Sequence, residues 1–171
     1  VFHKDIGNTH RLRLDESSAK SDEAEAFNDT SPTSSVFSIG TSVDVNADAN
    51  TYVAYVFAEV DGYSKFGNYT ANNTTDGTFI YLGFRPAWVM FKRTAGNAWA
   101  IQDSARSPIN PLSNVLGADA TTAEYTTGVA LDFVSNGIKH RNDSGYFNNV
   151  AGDNFIYMAF AEAPFKYANA R

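Results

Sequence analysis

One run of residues is written twice in this chain, and it constrains the fold more than any other feature. Asn50-Thr51-Tyr52-Val53-Ala54-Tyr55-Val56-Phe57-Ala58-Glu59 returns as Asp153-Asn154-Phe155-Ile156-Tyr157-Met158-Ala159-Phe160-Ala161-Glu162. Each copy is apolar and aromatic, closes on Phe-Ala-Glu, and follows a loop rich in Asn, Asp and Gly. A likeness at a fixed offset, here about one hundred positions, marks a duplicated structural unit. Both runs are apolar on both faces of an extended strand: Val53, Tyr55 and Phe57 alternate with Tyr52, Ala54 and Val56. Such a strand belongs in a sheet that is covered on both sides.

The likeness extends upstream. Val36-Phe37-Ser38-Ile39-Gly40 leads into the first run, and Leu131-Asp132-Phe133-Val134-Ser135-Asn136-Gly137-Ile138 leads into the second. Val1-Phe2-His3-Lys4-Asp5 stands where Trp99-Ala100-Ile101-Gln102-Asp103 stands in the second copy. The second copy has an earlier strand, Trp88-Val89-Met90-Phe91-Lys92-Arg93, with no counterpart in the first. The first unit is therefore expected to lack its N-terminal strand, as in a chain that begins inside a repeat.

Strand signals recur between turns. Residues 78–82 and 87–92 are strand candidates separated by Gly83-Phe84-Arg85-Pro86, and Pro86 cannot donate to a ladder. Thr94-Ala95-Gly96-Asn97 turns 88–93 back onto 99–102, and Ser135-Asn136-Gly137 joins 131–134 to 138–141 as a second hairpin. Leu12-Arg13-Leu14 is a short alternating segment. Helix signals are confined to 17–27 and 118–125, both polar. The expected fold is all-β, with two tandem, jelly-roll-like β-sandwich units over 1–77 and 78–171. Residues 62–77 read as a connecting loop whose aromatics dock on a sheet.

Composition narrows the chemistry. There is no cysteine among the 171 residues, so disulfides, thiolate metal sites and cysteine nucleophiles are absent. The net charge of −6, without a basic run, argues against nucleic acid as a partner. No apolar stretch is long enough for a membrane-spanning helix, and no membrane insertion is expected. His3, His10 and His140 do not pair at metal-ligand spacing. Asp44, Asn46, Asp48 and Asn50 alternate like calcium ligands, but Ala49 and Tyr55 stand where an EF-hand needs its Gly and Glu. No cofactor is expected; calcium held between loops is the one metal this pattern leaves open.

Glu59 and Glu162 close the duplicated runs at equivalent places, which suits carboxylates accepting hydrogen bonds at a strand end better than an acid–base pair. Asp103 and Arg106 read as an ion pair pinning a turn. Ser64 and Ser104 lack a nucleophile-elbow context. No acid, base and nucleophile set converges, so no enzymatic activity is expected. The structural set is Phe57, Glu59, Trp88, Trp99, Asp103, Arg106, Phe160 and Glu162, with Phe57 and Phe160 expected in the core. Aromatics in polar surroundings are the candidates for ligand contact, because such rings stack on sugars and partner proteins. They are Tyr63, Phe66, Tyr69, Tyr125, Tyr146 and Phe147.

The motif series as a whole resembles a known family. Its parts are the run ending Phe57-Ala58-Glu59, Gly62-Tyr63-Ser64-Lys65-Phe66-Gly67, Gly83-Phe84-Arg85-Pro86-Ala87-Trp88, Phe133-Val134-Ser135-Asn136-Gly137, and the closing Ala159-Phe160-Ala161-Glu162 with Pro164-Phe165-Lys166-Tyr167 beyond it. This series is similar to a repeated domain of unknown function from tail and tail-fibre proteins of tailed, often marine, bacteriophages. The resemblance implies a non-enzymatic virion module, structural or adhesive, that contacts other virion subunits or copies of itself, commonly as trimers, and touches a host surface glycan or receptor. It brings no catalytic residues. The competing expectation is a carbohydrate-binding β-sandwich module of a secreted bacterial protein, located outside the cell rather than in a virion.

Overall fold

The computed structural model describes residues 1–126, 128–143, 147–148 and 150–163. The fold is nearly all β, as expected, and every strand pairing in it is antiparallel. The strands are β1 (His10–Arg11), β2 (Ser21–Asp22), β3 (Ser64–Thr70), β4 (Phe79–Tyr81), β5 (Pro86–Arg93), β6 (Ala100–Asp103), β7 (Leu116–Gly117), β8 (Leu131–Val134), β9 (Gly137–His140) and β10 (Asn154–Ala161). Two single helical turns, α1 (Ala24–Phe27) and α2 (Val43–Asn46), lie between β2 and β3.

A five-stranded sheet in the order β3-β10-β5-β6-β7 packs against a three-stranded sheet in the order β4-β9-β8. The strand candidates from 78 onward are all realised within a residue or two. In β10 the expected two-sided burial is present. Phe155, Tyr157 and Ala159 enter the core between the sheets, with Tyr69, Val89, Phe91, Leu131, Phe133 and Ile138. Ile156 points to the opposite face and packs with Ile6, Leu12 and Trp99. The outer face of the large sheet is thus covered by the N-terminal segment, a third layer that no local pattern in residues 1–20 foretells.

Polar bonds fasten that layer. The Trp99 indole donates to the Arg13 carbonyl at 2.7 Å, and the Lys92 ammonium donates to the carbonyls of Glu16 and Asn97 at 3.1 and 2.5 Å. Lys92 is buried, which lowers its pKa, and its ammonium also lies over an aromatic face, 5.4 Å from the Trp99 ring centroid. Buried Arg11 bridges Glu23 at 2.5 Å and Asp44 at 2.8 Å.

The 135–137 hairpin turns without left-handed backbone. Neither Asn136 nor Gly137 takes a positive φ. Instead, a Cβ on Gly137 would stand 2.1 Å from the Ile80 carbonyl oxygen, so glycine is what lets β4 approach β9.

Three expectations are corrected. Residues 51–58 form no strand: Val53 is 78 % exposed, Tyr55 83 % and Phe57 55 %. Sequence likeness to β10 does not supply the flanking strands that bury β10, and without them the run stays at the surface. Residues 64–70, expected as loop, are β3, an edge strand joined to β10 across the 77/78 boundary. Leu12-Arg13-Leu14 is not a strand; β1 ends at Arg11. Among the described residues, 1–59 hold only the β1–β2 pair and short helical turns.

Candidate functional site

The residues that converge at a surface lie on the outer face of the large sheet, at the end left bare by the N-terminal layer. Alternation along β3, β5 and β10 brings Phe66, Trp88 and Phe160 onto that face, because Phe160 pairs with Trp88 and Met158 pairs with Phe66. Phe160 is the hub. Its ring centroid lies 5.8 Å from Trp88, 5.8 Å from Tyr63, 6.1 Å from Phe66 and 5.9 Å from Phe57. Tyr63 and Phe57 are exposed, and Phe66, Trp88 and Phe160 are half-buried. Phe160 therefore sits in this cluster rather than in the sandwich core, and Phe57 is its exposed rim, against the expectation for both.

Charged pairs border the patch. Lys4 reaches Glu59 at 2.7 Å, and Arg85 reaches Glu162 at 3.0 Å. Glu59 Oε1 also accepts the Phe66 N–H of β3 at 3.1 Å; the strand end expected for such a bond, that of 51–58, is not formed. Burial pushes the Glu59 carboxyl upward, but the bonds from Lys4 and Phe66 outweigh it and hold the pKa below the usual carboxylate value. Glu59 and Glu162 each have a cationic partner of their own.

The remaining candidates separate. Tyr69 and Phe147 are core residues: Tyr69 stacks on Phe155 at 5.1 Å and donates its hydroxyl to the Phe147 carbonyl at 2.8 Å. Polar neighbours in sequence conceal the strand alternation at Tyr69. Tyr125 is half-buried beside the core, its hydroxyl 2.7 Å from that of Thr122. Tyr146 lies outside the described residues. Trp99 is buried under the N-terminal layer.

Two members of the calcium pattern are already engaged within the chain. Asp44 Oδ2 is taken by Arg11 at 2.8 Å and Arg13 at 3.0 Å, and Asn46 donates its amide to the Gly40 carbonyl. Two guanidiniums already neutralise the carboxylate that a cation would need. Among the described residues no group of three or more His, Asp or Glu is placed to hold a metal. An open hollow of about 550 Å³ is lined by Asp15, Glu16 and Asp119. Glu16 is engaged by Arg13 and Ser18, and Asp119 by the Trp99 N–H.

Asp103 and Arg106 form the expected turn clamp. Asp103 accepts the Arg106 backbone N–H at 2.8 Å and its Nε at 2.7 Å, and Arg106 continues to Glu124 at 3.3 Å. Asp103→Ala is expected to lower stability by about 1.5–3 kcal/mol, the range for hydrogen bonds to charged groups. Urea melts at neutral pH check this, and a change within about 0.5 kcal/mol would show that the clamp holds nothing.

What the patch offers is aromatic contact area. A partly open aromatic patch stands beside a run, 52–57, whose large apolar side chains are mostly solvent-facing. Trp88 and Phe160 are not among the contact residues expected from sequence, because their apolar runs mark them as strand interior; strand register is the signal that puts them on one face with Phe66. Neither the curated proteins nor the solved structures include a match to this chain. The family model for "Domain of unknown function (DUF7483)" matches residues 1–164, taking in both the N-terminal layer and the sandwich. The chain therefore belongs to the DUF7483 family.

Proposed function

We propose that this chain is a non-enzymatic structural and adhesive module of a bacteriophage tail or tail-fibre protein, built to be covered by other copies of its own kind. The observation that carries the assembly half of this reading is the bare run 52–57, with Val53, Tyr55 and Val56 each more than 70 % exposed at 78 %, 83 % and 73 %. Contiguous apolar surface of this kind marks a protein contact. The virion setting rests on the resemblance of the motif series. In the finer form of the proposal, 51–58 is an interior strand of the first of two tandem sandwiches, as β10 is of the second, and the strands flanking it come from another copy of the unit. The aromatic patch around Phe160 then serves as a subunit joint or as a contact for host glycan.

Sedimentation velocity at tens of micromolar tests this. The native chain is expected to self-associate, and Val53→Asp with Tyr55→Asp to abolish that association while leaving the sandwich folded. A native chain that stays monomeric, and binds immobilised bacterial surface glycan through Tyr63 and Trp88, would favour the carbohydrate-binding alternative.

A further inference from the structure

The segment 51–58 leaves the sheet at an unusual place. Val60 and Ser64 exchange both backbone hydrogen bonds, at 3.3 and 3.0 Å, across a tight turn in which Gly62 has φ 72°. That is the first rung of a β-hairpin. A hairpin's register follows from its turn, so continuing it would set Ala58 opposite Phe66, Val56 opposite Asn68 and Ala54 opposite Thr70. Among the described residues no strand pairs with the edge that would receive these residues, because β3 ends the five-stranded sheet; at its far end the Thr70 carbonyl accepts the Thr78 hydroxyl at 2.8 Å. Its orientation is fixed as well. The Tyr63 carbonyl accepts from the Ala161 N–H, so the odd-numbered residues turn their backbone groups toward β10 and the even-numbered ones turn theirs outward.

The hairpin nevertheless stops after one rung. The Phe66 N–H, which the second rung would give to the Ala58 carbonyl, is held by Glu59 Oε1 at 3.1 Å. The Ala58 carbonyl instead accepts the Ser64 hydroxyl at 2.9 Å. Lys4 anchors the same Glu59 oxygen from the N-terminal layer at 2.7 Å, and the Phe57 ring is drawn onto Phe66 and Phe160.

We propose that Glu59 is a latch: it occupies the first outward N–H of β3, keeps 51–58 off that edge, and on release lets the segment close onto its own sheet as a further strand. The inference rests on the reading that 51–58 is an assembly strand, since a strand reserved for a partner must be kept from pairing with itself. The turn has already brought the two segments together, so little further loop-closure entropy opposes the closing.

The test uses the absence of cysteine. Val56→Cys with Asn68→Cys places one thiol on each side of what would be the third rung, in the native background, with Glu59→Ala, and with Lys4→Ala, which weakens the latch from an exposed position. Under mild oxidation the native background is expected to give no intrachain disulfide, Glu59→Ala to give it in most molecules, and Lys4→Ala to fall between. In cysteine-free Glu59→Ala, hydrogen exchange at the Asn68 amide should slow by about tenfold or more, with β5 and β10 amides unchanged as a check of folding. An intrachain disulfide already formed in the native background, its absence from Glu59→Ala, or interchain disulfide in its place would each overturn the latch. Self-association of the native chain is read separately by sedimentation, so failure of the assembly reading and failure of the latch are distinguishable.

Discussion

Phe155→Ala is expected to cost about 3–5 kcal/mol, the range for removing a fully buried aromatic side chain. Phe155 is 0 % exposed and stacks on Tyr69, with an interplanar angle of 12°. Its loss opens a cavity in the middle of the sandwich, beneath β10, where neighbours held by two ladders cannot collapse inward. The informative control is Val53→Ala. Val53 holds in the first run the place that Ile156 holds in the second, yet it is 78 % exposed where Ile156 is 3 % exposed. Truncating Val53 should change the stability of the monomer by no more than about 0.5 kcal/mol. Two-state urea melts below the association range check both. Equal costs at the two positions would mean that 51–58 is packed as β10 is.

Acid should weaken this fold most through His140. His140 is completely buried, its ring lies 5.1 Å from Tyr69 and 5.8 Å from Phe91, and among the described residues neither of its nitrogens has a hydrogen-bond partner. Desolvation, aided by the positive charge of Lys139, lowers its pKa from 6.5 to about 3. The unfolded chain therefore takes up a proton near pH 6.5 that the folded chain refuses. Stability from this group is fully present above pH 6.5 and is lost as pH falls toward 3. Each tenfold difference in proton affinity between the two states is worth about 1.4 kcal/mol, so the loss is about 2 kcal/mol at pH 5 and about 5 kcal/mol below pH 3. His3, whose pKa is lowered chiefly by burial, acts in the same direction. His140→Phe should remove the His140 share, so the difference between the two proteins isolates it from His3 and the carboxylates. The variant should also be no less stable at pH 7, because it eliminates two unsatisfied nitrogens. Parallel stability–pH curves for the two proteins would show that His140 does not titrate in this range.

The second half of the chain is legible because its signals are local. Alternation and turn residues define β5, β6, β8 and β9, and two-sided apolarity identifies β10 as a covered strand. The first run carries the same local signal as β10 and misleads for that reason: burial belongs to the neighbours that flank a strand, and sequence does not show whether they are present. Residues 64–70 mislead in the other direction. Gly67, Asn68 and Thr70 look like loop, yet Tyr69 pairs with Phe155 and the segment ends a sheet. Of the surface patch, Tyr63 and Phe66 are visible as aromatics in polar company, whereas Trp88 and Phe160 need the register. The N-terminal layer announces itself only indirectly, through Ile156 and Met158 on a second apolar face that something has to cover.

The pairing of Phe160 with Ser64 has a mechanical consequence. The sandwich chain starts along β3 and finishes along β10, and these two points face each other at the same end of one antiparallel ladder, about 5 Å apart by ordinary strand spacing. A sandwich connected in this way hangs beside the line of the polypeptide instead of lengthening it. Tension applied at the two points loads the β3–β10 bonds one after another, as a zipper does, rather than all at once in shear. Pulled at these two points, the sandwich is expected to open bond by bond at low force.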